Sequence, residues 1–242
     1  MATKTDGMAG LKPVESSNLH SKVYAQLRSN LMAGKFRPGE TLTLRTLAAA
    51  LGTSVMPARD AVLRLSGERA LERVGRSVRV PVLDKDQFED VQRFRIALES
   101  EACALAAERA TPVEFAAIEQ AKDRAERTCE AGNLEKFLAA NQEFHFAIYR
   151  AAHNPLLQSL IETLWLQAGP YLAKLAQGST PKMCRAIDLS AHTRLVSALK
   201  KRDAAAACAA LRADLSDRDE LFETLDVPAE VDPVRPRKTR AR

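Results

Sequence analysis

The sequence predicts a mainly α-helical protein in two parts. Three helices and a β-hairpin form a small N-terminal part, and an all-α bundle of about six helices follows it. Apolar residues recur at helical spacing over most of the 242 residues. A short stretch between residues 71 and 82 instead alternates apolar and charged residues, as a half-buried strand pair does. Charge also divides the chain, because the N-terminal part is basic and the bundle is acidic.

The first helix is predicted upstream of residue 34. Val23, Leu27 and Leu31 lie four residues apart and therefore share one helical face. The run at residues 34–39 contains two glycines and a proline, and these residues break helices. We expect this run to separate the first helix from the second.

The second and third helices are predicted to meet at Gly52. A stripe of apolar residues at i, i+3, i+4 and i+7 marks the second helix: Leu44, Leu47, Ala48 and Leu51. Gly52 follows the stripe, where a left-handed residue can end the helix. Ser54 is the predicted N-cap of the third helix, and Pro57 lies in its first turn, where proline is tolerated. This order predicts a helix-turn-helix.

The third helix has the pattern of a DNA-recognition helix. Ala58, Ala61, Val62 and Leu65 are expected to face inward, which leaves Arg59 facing outward. An arginine fork can pair with guanine in the major groove. An ordinary two-helix corner with a solvated arginine is the alternative. A hairpin at residues 71–82, turning at 75–77, favours a winged helix-turn-helix.

This part resembles the GntR family of bacterial transcription factors over roughly residues 19 to 82. The resemblance is carried by these residues: 36–40, Leu47, Ala48, Leu51, Gly52, Ser54, Pro57, Arg59 and Ala61. It implies DNA contacts from the second helix, the start of the third helix and the wing tip: Arg45, Ser54, Val55, Met56, Arg59, Gly75, Arg76 and Ser77. Val55 and Met56 replace a usual Arg and Thr, so we expect an operator that differs from common family sites.

Charge and composition suggest how the chain is organised. Residues 1–83 hold thirteen Lys or Arg against six Asp or Glu, whereas residues 84–230 hold eighteen against twenty-four. We expect a disordered leader (1–17), a winged helix-turn-helix domain (18–83), an all-helical domain (84–226) and a disordered basic tail (227–242). The sequence shows no signal peptide or membrane span, and its four cysteines lack metal-site spacing. We expect a soluble cytoplasmic protein with reduced thiols.

Two histidines are the candidate chemical groups of the bundle. His145 lies four residues after Asn141, which places both on one helix face, and His192 lies on a later helix. Each histidine is either a hydrogen-bonded core residue or a metal ligand.

The bundle resembles the FCD ligand-binding domain of the FadR branch of the GntR family, in its six-helix VanR-like form. The matching residues are 95–99, 141–145, 151–157 and His192. The resemblance implies a divalent metal held by Asn141, His145, His192 and Asp214. Asn141 replaces a usual acid, and Asp214 replaces a usual third histidine. We therefore expect Zn, Ni or Mn to bind more weakly than at a three-histidine site.

The resemblance also implies a small organic acid as effector, with Arg95 on a helix that often supplies its carboxylate partner. We expect Trp165 and Tyr171 to line the same pocket, and a tryptophan that belongs only to the core is the alternative. Arg95 has an alternative partner within the chain, either Glu99 or Glu143. The expected function is that of a homodimeric repressor, not an enzyme, which releases its operator when a carboxylate binds and couples through the linker at residues 82–85. The alternatives are a helical metalloenzyme with Glu143 as base, and a constitutive DNA-binding regulator with a metal-free pocket.

Overall fold

The computed structural model describes residues 18–176, 181, 187 and 189–223. The N-terminal elements are α1 (Asn18–Met32), β1 (Thr41–Thr43), α2 (Leu44–Ala50), α3 (Val55–Gly67), β2 (Glu72–Val74) and β3 (Ser77–Arg79). The described bundle helices are α4 (Lys85–Arg109), α5 (Pro112–Glu130), α6 (Leu134–Ala151), α7 (Pro155–Ala176), α8 (Ser190–Lys200) and α9 (Ala204–Glu223). The predicted leader, the predicted tail and Cys184 lie outside the described residues.

The N-terminal unit is a winged helix-turn-helix, as predicted. Helix α1 packs against α3, and its residues Val23, Leu27 and Leu31 are buried. Gly52 adopts a left-handed conformation with φ of +62°, which allows the tight turn between α2 and α3. Ser54 occupies the N-cap position of α3, but its side chain makes no capping hydrogen bond.

The wing contains one strand more than the sequence analysis predicted. Strands β1, β3 and β2 lie in that order in an antiparallel sheet, with Leu42 opposite Val78. Strand β1 was missed because a strand of three residues is too short to show a period of alternating side chains. Ser77 belongs to β3 and lies opposite Val74, so the predicted turn at 75–77 shortens to Gly75 and Arg76.

Side-chain caps define where the bundle helices begin. Asp84 and Gln87 form a reciprocal capping box at α4, and Thr111 and Glu114 form another at α5. Three further side chains accept a backbone N–H at the starts of α6, α7 and α9: Asn133, Asn154 and Asp203. Helix α4 packs against α6, α7, α8 and α9 and is therefore the central helix of the bundle.

Helix α7 joins the bundle to the DNA-binding unit. It packs against α1, where Arg28 Nη1 lies 2.8 Å from Glu162 Oε2. The Tyr171 hydroxyl hydrogen-bonds the backbone N–H and C=O of Leu83, just after the wing. Gly169 has no side chain where the backbone of α1 crosses it, and a Cβ there would lie 2.8 Å from Met32 Cα. The units are thus connected by packed helices as well as by the linker.

We predict that Gly169→Ala destabilises the protein by about 1–3 kcal/mol, because the backbone of α1 must move to admit a methyl group. Urea unfolding measures this change. Gly67→Ala is the matched control, since Gly67 lies in α3 and a Cβ there meets no atom within 4 Å. The control should leave stability unchanged or raise it by up to about 1 kcal/mol. Equal stabilities of the two variants would contradict the close crossing of α1 and α7.

Candidate DNA interface and candidate metal centre

The start of α3 projects from the N-terminal unit. The side chains of Arg45, Ser54 and Arg59 are exposed. Val55 and Met56 are also exposed, to 37% and 57%, although both are apolar.

The opposite face of α3 is fixed in the core. Its inward residues are those that the sequence predicted, and all are buried: Ala58, Ala61, Val62 and Leu65. Arg64 stacks over the Tyr24 ring at 3.7 Å, and the Tyr24 hydroxyl donates to Glu68. Helix α3 is therefore anchored on one side and exposes Arg59 on the other.

The wing tip lies at the edge of the same unit. Gly75 and Arg76 are exposed, and Gly75 has a φ of +60°, which suits the two-residue hairpin turn. Ser77 is half-buried in β3. Of the three wing residues singled out from the sequence, Arg76 is the one with a long cationic side chain that can reach a phosphate.

Three helices of the bundle bring His145, His192 and Asp214 together. The candidate ligand atoms of these residues all lie within 4.8 Å of one another. His145 Nε2 lies 3.2 Å from Asp214 Oδ2, and His192 Nε2 lies 3.1 Å from Asp214 Oδ1. Both histidines are fully buried, and Asp214 nearly so. One carboxylate therefore faces two imidazoles inside the core.

Polar atoms at this cluster lack hydrogen-bond partners. Asn141 lies one turn before His145 on α6 and is buried, and no described residue hydrogen-bonds its Oδ1. His192 makes no hydrogen bond through either ring nitrogen to the residues that the structure describes, because its approach to Asp214 lacks hydrogen-bond geometry. Unsatisfied buried polar atoms are rare and call for an unseen ion or water. The nitrogen and oxygen atoms of this cluster are therefore suitable ligands for a cation.

A second buried network adjoins the cluster and centres on Glu99, which is 0% exposed. Glu99 Oε1 accepts from Arg95 Nε at 2.8 Å and from Trp165 Nε1 at 3.0 Å. Glu99 Oε2 accepts from the Tyr149 hydroxyl, whose oxygen lies 3.2 Å from His145 Nδ1. Burial raises the pKa of Tyr149 well above its usual value, and the nearby Glu99 raises it further. The network therefore reaches a candidate metal ligand.

Arg95 is 2% exposed and pairs with Glu99, which is one of the two internal partners considered from the sequence. Its Cζ lies 4.6 Å from the Trp165 ring centroid, and Nη1 donates to Gln92 Oε1 at 3.0 Å. Nη2 is buried and has no hydrogen-bond partner among the described residues. The internal pairing thus leaves one guanidinium nitrogen unsatisfied.

One expectation about the site needs correction, and another residue has a second set of contacts. The Tyr171 hydroxyl hydrogen-bonds Leu83, and its ring packs against Phe88 at 5.1 Å between ring centroids. This burial raises the pKa of Tyr171 to about 12. Glu143 is exposed, and its Oε1 lies 3.0 Å from Arg124 Nη2. It is therefore not the partner of Arg95, and it does not lie beside the cluster as a base.

Sequence reasoning missed Tyr149 as a member of the site. Its position four residues after His145 was the available signal, since that spacing stacks the two side chains on one face of α6. The bond from Trp165 to Glu99 had no such signal, because it joins residues 66 positions apart.

None of the described helices has the length and apolar character that crossing a bilayer requires.

Two family models match this chain. The model for bacterial regulatory proteins of the gntR family matches residues 19–80, and the FCD domain model matches residues 90–217. The chain belongs to the GntR family. It is therefore a DNA-binding transcriptional regulator with an FCD domain, and it is not an enzyme.

Relatives and solved structures agree with this assignment. The HTH-type transcriptional regulator McbR of Escherichia coli (strain K12) is 33% identical over 197 residues, which cover 81% of this chain and 89% of McbR. The solved structure of E. coli McbR/YncC matches this GntR regulator with a TM-score of 0.81 at 30% identity, over 85% of this chain and 97% of that one. A putative GntR regulator from Rhodococcus sp. RHA1 shares the fold with a TM-score of 0.65 at 21% identity, over 85% and 98%.

We predict that Arg95→Met destabilises this GntR regulator by about 3–5 kcal/mol, because it leaves the Glu99 carboxylate buried without its counter-ion. Adding Glu99→Gln should recover part of that loss, since no buried charge then remains at the pair. Urea unfolding of both single variants and the double variant measures the coupling. If the stability loss of the double variant equals the sum of the losses of the two single variants, an energetic link between the two side chains is contradicted.

Proposed function

We propose that this GntR regulator is a homodimeric repressor that binds a divalent metal and a small carboxylate in its FCD domain and releases its operator in response. The observation that carries the proposal is the buried cluster of His145, His192 and Asp214, beside the unsatisfied Oδ1 of Asn141. DNA binding by the N-terminal unit does not require this cluster, so the cluster favours a second role in the FCD domain.

The four side chains suit a borderline metal. Two imidazoles and one carboxylate are ligands that Zn, Ni and Mn accept, and the amide oxygen of Asn141 is a weaker fourth donor. A bound metal would place positive charge in the bundle and hold an anionic effector. Because the amide carries no charge, affinity should be lower than in a site with a carboxylate at position 141.

Arg95 and Trp165 are the proposed effector contacts. The unsatisfied Nη2 of Arg95 can donate to a carboxylate, and Trp165 packs against the guanidinium and lies 5.8 Å from His145 between ring centroids. An effector at this position would lie between a cationic side chain and the metal ligands. This arrangement favours a small anion over an apolar ligand.

Helix α7 is the proposed route from the site to DNA. Trp165 lies at the proposed effector position, while Glu162 and Gly169 of the same helix contact α1 of the DNA-binding unit. A shift of α7 would change the distance between the two recognition helices of a dimer, which must lie about 34 Å apart to read a palindrome. An effector then changes operator affinity by no more than its preference for one arrangement.

We predict that Arg59→Ala weakens operator binding by about 10- to 100-fold, because it removes a base contact in the major groove. Fluorescence anisotropy against a duplex selected from a random-sequence pool measures this loss. Arg93→Ala is the matched control, since Arg93 lies on α4 with a side chain exposed to 73%. The control removes the same charge and should bind as the unchanged protein does. Equal binding by both variants would contradict the assignment of α3 to the groove.

We predict that protein purified without added metal contains about one Zn, Ni or Mn ion per chain. His192→Ala should lose this metal, and Asn141→Asp should bind Zn²⁺ more tightly because a carboxylate replaces an amide. Elemental analysis measures the metal content, and calorimetry measures the Zn²⁺ affinity. His153→Ala is the control, since His153 is exposed and lies 3.0 Å from Glu114, away from the cluster. Absence of metal from the unchanged protein would contradict the metal site.

One alternative has an observation in its favour. Asp214 lies close to both imidazoles, so one added proton on either histidine would balance its charge without any metal. The protein would then be a constitutive regulator with a metal-free pocket. The anisotropy assay, repeated with a panel of mono-, di- and tricarboxylates, separates the two functions, because only the sensor releases its operator.

A further inference from the structure

We propose that Tyr149 is a positioning residue of the metal centre: together with Glu99 it holds His145 in the tautomer whose Nε2 lone pair faces Asp214. The inference rests on the metal site proposed above. It assigns a role to two side chains that contact no metal themselves.

The argument begins with the charge of Glu99. Three donors converge on its carboxylate: Arg95 Nε, Trp165 Nε1 and the Tyr149 hydroxyl. An ionised carboxylate is an acceptor only, and a buried guanidinium 2.8 Å away supplies the opposite charge. Glu99 therefore has no proton to offer to Tyr149.

The single proton of Tyr149 is committed to Glu99 as a result. The Tyr149 oxygen lies 3.2 Å from His145 Nδ1, and a hydrogen bond there needs its proton from the histidine. His145 must then carry hydrogen on Nδ1. In the neutral ring this leaves Nε2 with a lone pair, which is the state that binds a metal.

The opposite nitrogen of the ring faces the cluster. His145 Nε2 lies 3.2 Å from Asp214 Oδ2. In the neutral Nδ1–H tautomer its lone pair is directed toward Asp214 and is available to a cation held there. The network thus prepares the position for a metal, and hydrogen bonding to the far nitrogen makes the imidazole a stronger ligand.

The second histidine has no comparable support among the described residues. His192 Nδ1 is buried and has no hydrogen-bond partner there. Its ring is oriented by packing, including a contact with Phe144 at 4.5 Å between centroids. We therefore assign His145, and not His192, as the preorganised ligand.

Tyr149→Phe tests the proposal against a matched control. It removes the bridge to His145 and should weaken Zn²⁺ binding by about 10- to 100-fold, measured by calorimetry. Tyr24→Phe also removes a hydroxyl that donates to a glutamate, Glu68, but in the N-terminal unit. The control should bind Zn²⁺ as the unchanged protein does. Equal Zn²⁺ affinity of the two variants would overturn the positioning role.

Nitrogen-15 NMR of metal-free protein with labelled histidines reports the tautomer directly. The unchanged protein should show His145 with hydrogen on Nδ1, and Tyr149→Phe should show a mixture or the Nε2–H form. A His145 that carries hydrogen only on Nε2 in the unchanged protein would overturn the proposal. This readout needs no metal, so a protein with the expected tautomer and no Zn²⁺ affinity would refute the metal site alone.

Glu99→Gln is a second variant, and it should reverse the direction of the hydrogen bonds from residue 99 through Tyr149 to His145. Arg95 and Trp165 donate to the Oε1 position and therefore fix the amide oxygen there, which turns the amide NH₂ toward Tyr149. Tyr149 then accepts from the amide and donates to His145 Nδ1, which forces hydrogen onto Nε2. We expect the Nε2–H tautomer and weakened Zn²⁺ binding. An unchanged tautomer in this variant would contradict the proton order.

Discussion

The buried carboxylate of Glu99 is the interaction on which the bundle depends. It lies on the central helix α4 and accepts hydrogen bonds from α6, through Tyr149, and from α7, through Trp165. A charge with no exposure is tolerable only because Arg95 pairs with it and further donors saturate its oxygens. The same group therefore fixes three helices relative to one another and orients a side chain of the proposed metal centre.

This arrangement gives α7 two roles at different points along its length. Its Trp165 side chain lies against Arg95 and Glu99, and Gly169, about one turn later, touches the backbone of α1. In the proposed function, a change at Trp165 would therefore have a route to the DNA-binding unit that does not pass through the linker. The sequence analysis assigned coupling to residues 82–85, whereas Tyr171 holds that segment against α7 as well.

Features that depend on residues close together in the sequence were predictable, whereas contacts between residues far apart in the sequence were not. Local patterns were sufficient for the core face of α3 and for the left-handed turn at Gly52. Pairing across the chain was not predictable, since β1 is three residues long and its partner β3 lies more than thirty residues away. Likewise the internal acceptor of Arg95 was one of two candidates until the structure placed Glu143 on the surface.

The two departures from the usual metal ligands have a joint physical consequence. A carboxylate at position 141 would lie on α6, whereas here the charge lies at Asp214 on α9, between His145 and His192. A metal held here would join α6, α8 and α9 through one ligand each, and α9 also packs on the central helix α4. Because His145 on α6 contacts Tyr149, which donates to Glu99 on α4, the candidate ligands and the Glu99 network share the same helices.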